Sequence, residues 1–465
     1  MMIKIFSFFM LFFFFLLIPQ SFGSEKNPEI LIDGYKIEKY VTDLSVPIAI
    51  DFIDSDMFVL QKNDGIIHLI QDDKLKQPIL DLEVSNYGEQ GLLGITTTND
   101  KIYLFFTEAF HDGGLSHGNK IYEYTWDGEK LSNKKLIKSL PGWTEAYNGG
   151  AMAHDLKNRI FAVSGSQFTY GALQNTPLDQ SARCFTEGIC DDKDKITFSD
   201  SIEKTLSCVN VSFRHYTTNP FGWQTEQPES ADNPFETNPF NVVINLNSCL
   251  QAFIFHNFSN GDWKDVGVVL QVKPPIDSYH AIGIRNSFGI TFDPITGNLW
   301  MTENGPDKFD EINLVDNKSN LGWAKHIGPV DEESVPNVPG YEEYVYKNPE
   351  FSWELPVGIT ALDFAEGPLF TKYAGWLFVA DSNHGNIYLL KLNKERNGFE
   401  FQSEHLKDLT VNIDPNNTHG NFHESMSEIM FGTNFGLISD LKFGPDGALY
   451  AVSLIEGTIY RITLG

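Results

Sequence analysis

Histidines at metal-like spacing are the first residues to weigh. His419 and His423 stand four apart with Glu424 behind them, a spacing that on a helix would put both rings on one face. Gly420 and the asparagines around it point to a loop instead, so both read as solvated loop histidines. His111 and His117 lie in a glycine-rich turn and read the same way. The four cysteines, Cys184, Cys190, Cys208 and Cys249, show no two close pairs and so match no zinc signature. Disulfides in an oxidising compartment suit them better, with the pairing left open. The sequence contains no glycine-rich phosphate cradle, nucleophile elbow or C-x-x-C motif.

The elements that must position any chemistry are strands. Helical periodicity is scarce, and short runs of Ile, Val, Phe, Tyr and Leu alternate with Gly, Asn and Asp. A loose unit of apolar strand, turn and G-x-I-aromatic strand recurs over residues 48–70, 93–124, 288–315, 359–390 and 438–462, with a partial copy at 151–165. This pattern predicts an all-β fold, a six-bladed β-propeller of four-stranded blades, its first and last strands side by side. Residues 171–275 break the pattern. They hold all the cysteines and three Asn-Pro-Phe triplets, and read as a long, disulfide-stapled insertion between blades three and four.

Composition narrows the partners. Thirty-four Lys and Arg against 62 Asp and Glu leave a net charge of −28, which argues against a nucleic-acid binder. Ile5–Ile18 is an apolar run of signal-peptide length, too short for a membrane span. Residues 1–23 are therefore expected to be a signal peptide and 24–465 a single propeller domain, exported to a secreted, periplasmic or cell-surface location. No membrane span is expected beyond that leader. Sequons at Asn210, Asn257, Asn317 and Asn416 suit an exported chain.

The segments GEQGLLG (88–94), YNGG (147–150), IGIRNSFG (282–289), ENGPDKFDEINL (303–314), LGW (321–323) and GPDGALY (444–450) occur in that order. Together they resemble the glucose/sorbosone dehydrogenase family, soluble quinoproteins that hold pyrroloquinoline quinone and calcium on a six-bladed propeller. The resemblance implies cofactor contacts at Gln90, Asn286 and Trp353, and a site arginine at Arg285. A buried guanidinium there would stabilise negative charge on a reduced quinone. The resemblance also places calcium at the carbonyls of Gly305 and Pro306, with Asp310 and Glu311 as nearby acids, a hard oxygen set that suits the ion.

Other positions depart from the family pattern. The family's proton-accepting histidine falls on Tyr147, and the acid that orients it on Ser166. A phenol, with an ordinary pKa of about 10, is a poor base at neutral pH. A cofactor-binding lysine falls on Asn383 and two arginines on Leu437 and Ser439. The expectation is an exported sugar dehydrogenase of the quinoprotein type, oxidising an anomeric alcohol to a lactone. The alternative is a secreted or cell-surface propeller that binds a small sugar or glycan without catalysis, its quinone site lost.

Overall fold

Each long repeat folds into consecutive antiparallel strands, because β-branched and aromatic residues at alternate positions supply two faces to bury. The computed structural model describes residues 27–140, 142, 145–166, 210–216, 250–259, 262–272, 279–323, 326–331, 334, 344–414 and 423–465. Residues 1–26, which include the expected signal peptide, the four cysteines, His419 and Asn416 lie outside them.

The repeat at 48–70 becomes Pro47–Ile53, Asp56–Gln61 and Ile66–Gln71, paired in that order. The next gives Leu92–Thr98, Lys101–Thr107, Asn119–Trp126 and Leu131–Leu140 as a four-stranded sheet. Two five-stranded sheets start from Ile290–Phe292 and Ile359–Phe364. In the last blade the outer strand is Tyr35–Val41, paired antiparallel with the chain's final strand Thr458–Leu464. The two ends of the domain therefore lie side by side, as the repeat pattern implied.

The architecture is an all-β propeller with five multi-stranded blades of four or five strands, where the sequence had suggested six blades of four. The partial copy at 151–165 accounts for the difference. Among the described residues it forms Met152–His154 paired with Ile160–Ala162, and residues 167–209, which follow, lie outside them. That pair packs between Leu92–Thr98 and Ile290–Phe292. Within residues 171–275, Asn210–Tyr216, Leu250–Ser259 and Asp262–Val272 form a three-stranded sheet.

The hydrophobic core lies between blades. Phe58 and Leu60 of the first blade meet Leu104, Phe106 and Trp126 of the second, with Phe58 and Trp126 edge to face at 5.1 Å. Trp300 and Trp353 meet Tyr388 and Leu390 of the next blade in the same way. A fully buried side chain of this size contributes about 1.5–3 kcal/mol, so the inter-blade seams hold most of the stability. Aspartates on the innermost strands stitch the seams together. Asp51 accepts the Thr97 N–H, Asp440 the Ile50 N–H and Asp363 the Phe443 N–H, each at 2.8 Å. No helix among the described residues is long and apolar enough to cross a membrane.

Candidate active site

Tyr147 opens the YNGG segment in the left-handed region, at φ 61°, with Gly149 and Gly150 also at positive φ. A bulky residue there is strained, and such strain persists only where its surroundings fix it. Glu89 supplies the fixing. Its Oε2 accepts the Tyr147 N–H at 2.6 Å and the Asn148 N–H at 3.3 Å. The same carboxylate takes both contacts of the Asn286 amide, at 3.1 and 3.2 Å. Burial raises the Glu89 pKa, and these donors and Arg285 act against that shift. Gly165 is needed beneath this turn, because a Cβ there would collide with the Tyr147 carbonyl.

Arg285 and Asn286 are held from the other side by Glu303. Its Oε1 accepts both backbone N–H groups, at 2.7 and 2.9 Å. Burial pushes Glu303 up to about 8, with Glu311 directly across the strand pair adding to the rise. Arg285 as a whole is 8% exposed. It donates through Nη1 to the carbonyls of Asn304 at 2.8 Å and Gly305 at 3.1 Å. Through Nη2 it donates to the Tyr147 hydroxyl at 3.0 Å. The Tyr147 ring lies 4.5 Å from the guanidinium carbon and the Trp323 ring 5.6 Å, both at cation–π range. The Ser166 N–H bonds the Arg285 carbonyl at 2.7 Å, so this residue buttresses the arginine backbone. Among the described residues, Nε of Arg285 and Oδ1 of Asn286 are buried with no hydrogen-bond partner.

The structure thus brings Tyr147, Arg285, Asn286 and Gly305 together. Gln90, next to Glu89, is hydrogen-bonded by Ser85, which donates to its Oε1 at 2.7 Å, and its Nε2 donates to the Gly142 carbonyl at 2.9 Å. Trp353 makes no side-chain hydrogen bond to any of these residues. It is fully buried against Phe351 and Tyr388, because its strand pairs with Asp310–Val315 inside the blade seam.

Asp310 and Glu311 are neighbours on one strand and so point to opposite faces. Asp310 accepts the N–H groups of Gly305, Gly358 and Ile359 at 3.1, 2.6 and 3.2 Å, and caps the turn that the calcium reading relied on. Burial raises it to about 6. Glu311, raised to about 7 by burial, takes the Gly328 N–H and the Asn313 amide. Pro306 is exposed. Among the described residues no three His, Cys, Asp or Glu side chains converge on a point that could hold a metal.

Arg285 makes no ion pair with Asp310. Glu89, Glu303 and Trp323 do the positioning around it, and sequence reading did not single them out. All three stood inside the quoted segments GEQG, ENGPD and LGW, but only tertiary contact reveals that they surround the arginine. His154 is exposed, with Nδ1 3.2 Å from the Thr96 hydroxyl. His423 corrects its reading as a solvated loop residue, since both its ring nitrogens are buried.

A propeller whose loops gather an arginine, an amide and a strained tyrosine is a small-molecule site built on a rigid ring, and known proteins identify the class. The model of the family described as Glucose / Sorbosone dehydrogenase matches residues 44–182 and 271–461, and the chain belongs to that family. A curated relative, the aldose sugar dehydrogenase YliI of Escherichia coli (strain K12), is 24% identical over 116 residues, 24% of this chain and 31% of that protein. The aligned segments span about a third of the length of the first curated relatives. The apo soluble aldose sugar dehydrogenase of Escherichia coli superposes with a TM-score of 0.55 at 18% identity, covering 93% of this chain and 99% of that one. The PQQ-bound aldose sugar dehydrogenase of Streptomyces coelicolor gives 0.50 at 15% identity over 94% and 100%. At these identities the structural likeness carries the fold.

Proposed function

We propose that the chain is an exported sugar dehydrogenase of this family, a six-bladed ring in which 152–154 and 160–162 form the core of the third blade. In this reading it oxidises the anomeric alcohol of an aldose to a lactone. The observation that carries it is the contact between the Tyr147 hydroxyl and Arg285. To act as the base, the Tyr147 phenol would first give its own proton to solvent; the Arg285 guanidinium donating to that oxygen would balance the phenolate charge until a sugar hydroxyl supplies its proton. Tyr147 would then take the place of the family's histidine. The Glu89 clamp, which fixes its strained backbone, would replace the orienting acid whose position is Ser166.

The fit of the implied cofactors is uneven but real at one end. The unpartnered Nε of Arg285 and Oδ1 of Asn286 suit a polar, electron-accepting group beside the tyrosine, with the Gly305 and Pro306 carbonyls available to calcium once Arg285 releases Gly305. When bound, pyrroloquinoline quinone would supply the acceptor for the sugar's hydride. Arg285 would orient that acceptor, Tyr147 would hold the proton, and the Trp323 ring would keep water from the guanidinium face.

A second reading, a secreted or cell-surface propeller that binds sugar without turnover, is favoured by a specific observation. The hydroxyl of Ser439 is spent on the Pro47 and Val452 carbonyls, at 3.2 and 3.4 Å, and Leu437 and Asn383 bring no cation. Carboxylates buried there would lack partners. The deciding experiment loads the full chain with quinone and calcium and follows dye reduction by aldoses. Activity that Y147F removes supports the first reading. Sugar binding without dye reduction supports the second.

A further inference from the structure

The turn that follows Leu377–Asp381 carries His384, and its surroundings serve no role in the Tyr147–Arg285 site. His384, His423, Glu424, Met426, Met430 and Asn386 line a cavity of about 350 Å³. His423 is set on its wall by an antiparallel bridge to Ile413 and by the Glu424 N–H, which bonds the Asn412 carbonyl at 3.0 Å. The two imidazoles stand edge to face, with centroids 6.5 Å apart and planes at 82°.

Asp381, fully buried, orients the first ring. Its Oδ1 accepts the backbone N–H of His384 at 2.7 Å, and its Oδ2 accepts the Tyr388 hydroxyl at 2.6 Å while lying 3.7 Å from the ring Nδ1 of His384. A carboxylate on that side keeps the proton on Nδ1 and leaves the Nε2 lone pair directed elsewhere, the arrangement that prepares a histidine for a metal. The second ring is less satisfied. Both nitrogens of His423 are buried without a partner among the described residues, although a neutral imidazole needs one donor and one acceptor met.

We propose that this cavity binds a late first-row transition-metal cation, copper before zinc, through the ring nitrogens of His384 and His423. Metal–nitrogen bonds of about 2.0–2.1 Å bring two imidazole centroids to roughly 5–6 Å, so side-chain rotation alone closes the gap. A Met426 or Met430 thioether, or water, takes a further position, and thioether with imidazole is a set that copper prefers. The site shares no residue with the Tyr147–Arg285 cluster and does not depend on its chemistry.

The test uses the full chain, stripped with a chelator and titrated with Cu²⁺ or Zn²⁺ against a competing chromophoric chelator. One tight equivalent is expected, together with a copper EPR signal split by imidazole nitrogens. H384N and H423N should each weaken binding by about 100-fold, and each should remove one nitrogen from the signal. Tyr388 is a positioning residue, and Y388F, which keeps the ring, should cost about 10-fold. H405N is the control and should bind as wild type, because its ring nitrogen is already taken by the Ser425 carbonyl at 2.7 Å. A doubly substituted H384N/H423N chain that keeps the tight equivalent overturns the proposal, as does a wild type that takes up neither metal.

Discussion

Two cations sit in low-dielectric parts of this propeller and are treated in opposite ways. Lys442 stands where innermost strands converge, with Asp51, Asp363 and Asp440 around it and Asp51 Oδ1 at 4.0 Å. Burial opposes its charge, but the three aspartates outweigh that and hold the ammonium above the ordinary lysine range. The Arg285 guanidinium hydrogen-bonds no carboxylate; Glu303 holds its backbone N–H, and Glu89 and Glu303 feel its charge only through space. Carbonyls, a phenol and aromatic faces surround it, and one of its donors is unspent. A charge already neutralised belongs to the scaffold, whereas one left partly uncompensated is available to a ligand.

The strongest test of this contrast is Y147F. If the Arg285 side is the reactive one, dye-linked sugar oxidation should fall by about 10²–10⁴ in kcat with little change in KM. Unchanged turnover would remove Tyr147 from the chemistry. Next come the cations themselves. K442M leaves three acids facing one another and should cost about 3 kcal/mol in a urea unfolding curve. R285M should cost only about 1 kcal/mol, the loss of its hydrogen bonds, while abolishing ligand binding. Equal losses would erase the distinction.

A third test reads pH. Burial holds Asp440 up to about 7 from its ordinary 3.8, so the folded state keeps a proton that the unfolded chain releases. Stability from this group is complete below about pH 4 and is lost as pH rises through 7. D440N should flatten that decline when unfolding free energy is measured across the same window. The smallest effect is expected from W323L, about three-fold in ligand affinity, matching a cation–π contact of about 0.5–1 kcal/mol.

The repeats made the blades legible because a period-two apolar pattern has few other ways to be buried. The aspartates of I-D-F, L-D-F and D-L-K-F were visible as letters, but their role in stitching blade to blade was not, since it joins residues far apart in the chain. At the site, Arg285, Asn286 and Gly305 were legible from motif position. The packing of Trp353 on Phe351 and Tyr388 was not legible, because an aromatic residue next to a loop looks the same whether it flanks a ligand or fills a seam. Glu89 and Glu303 escaped notice because a carboxylate that clamps backbone N–H groups has no sequence signature. His423 was judged by its polar neighbours, and its burial comes from the bridge to Ile413 and the cavity wall opposite.

The closing strand pair also determines how the molecule answers to force. Tyr35 lies opposite Leu464, and the Gly465 N–H bonds the Gly34 carbonyl at 2.9 Å, so the two ends leave the sheet from the same edge. Once the two-residue pairing of Glu29–Ile30 with Gly432–Thr433 has let go, tension between the ends loads those hydrogen bonds one after another, like a zipper, rather than all at once in shear. The molecule is therefore soft to pulling at the join, where the outer strand Tyr35–Val41 would peel from its blade before any seam between blades gave way.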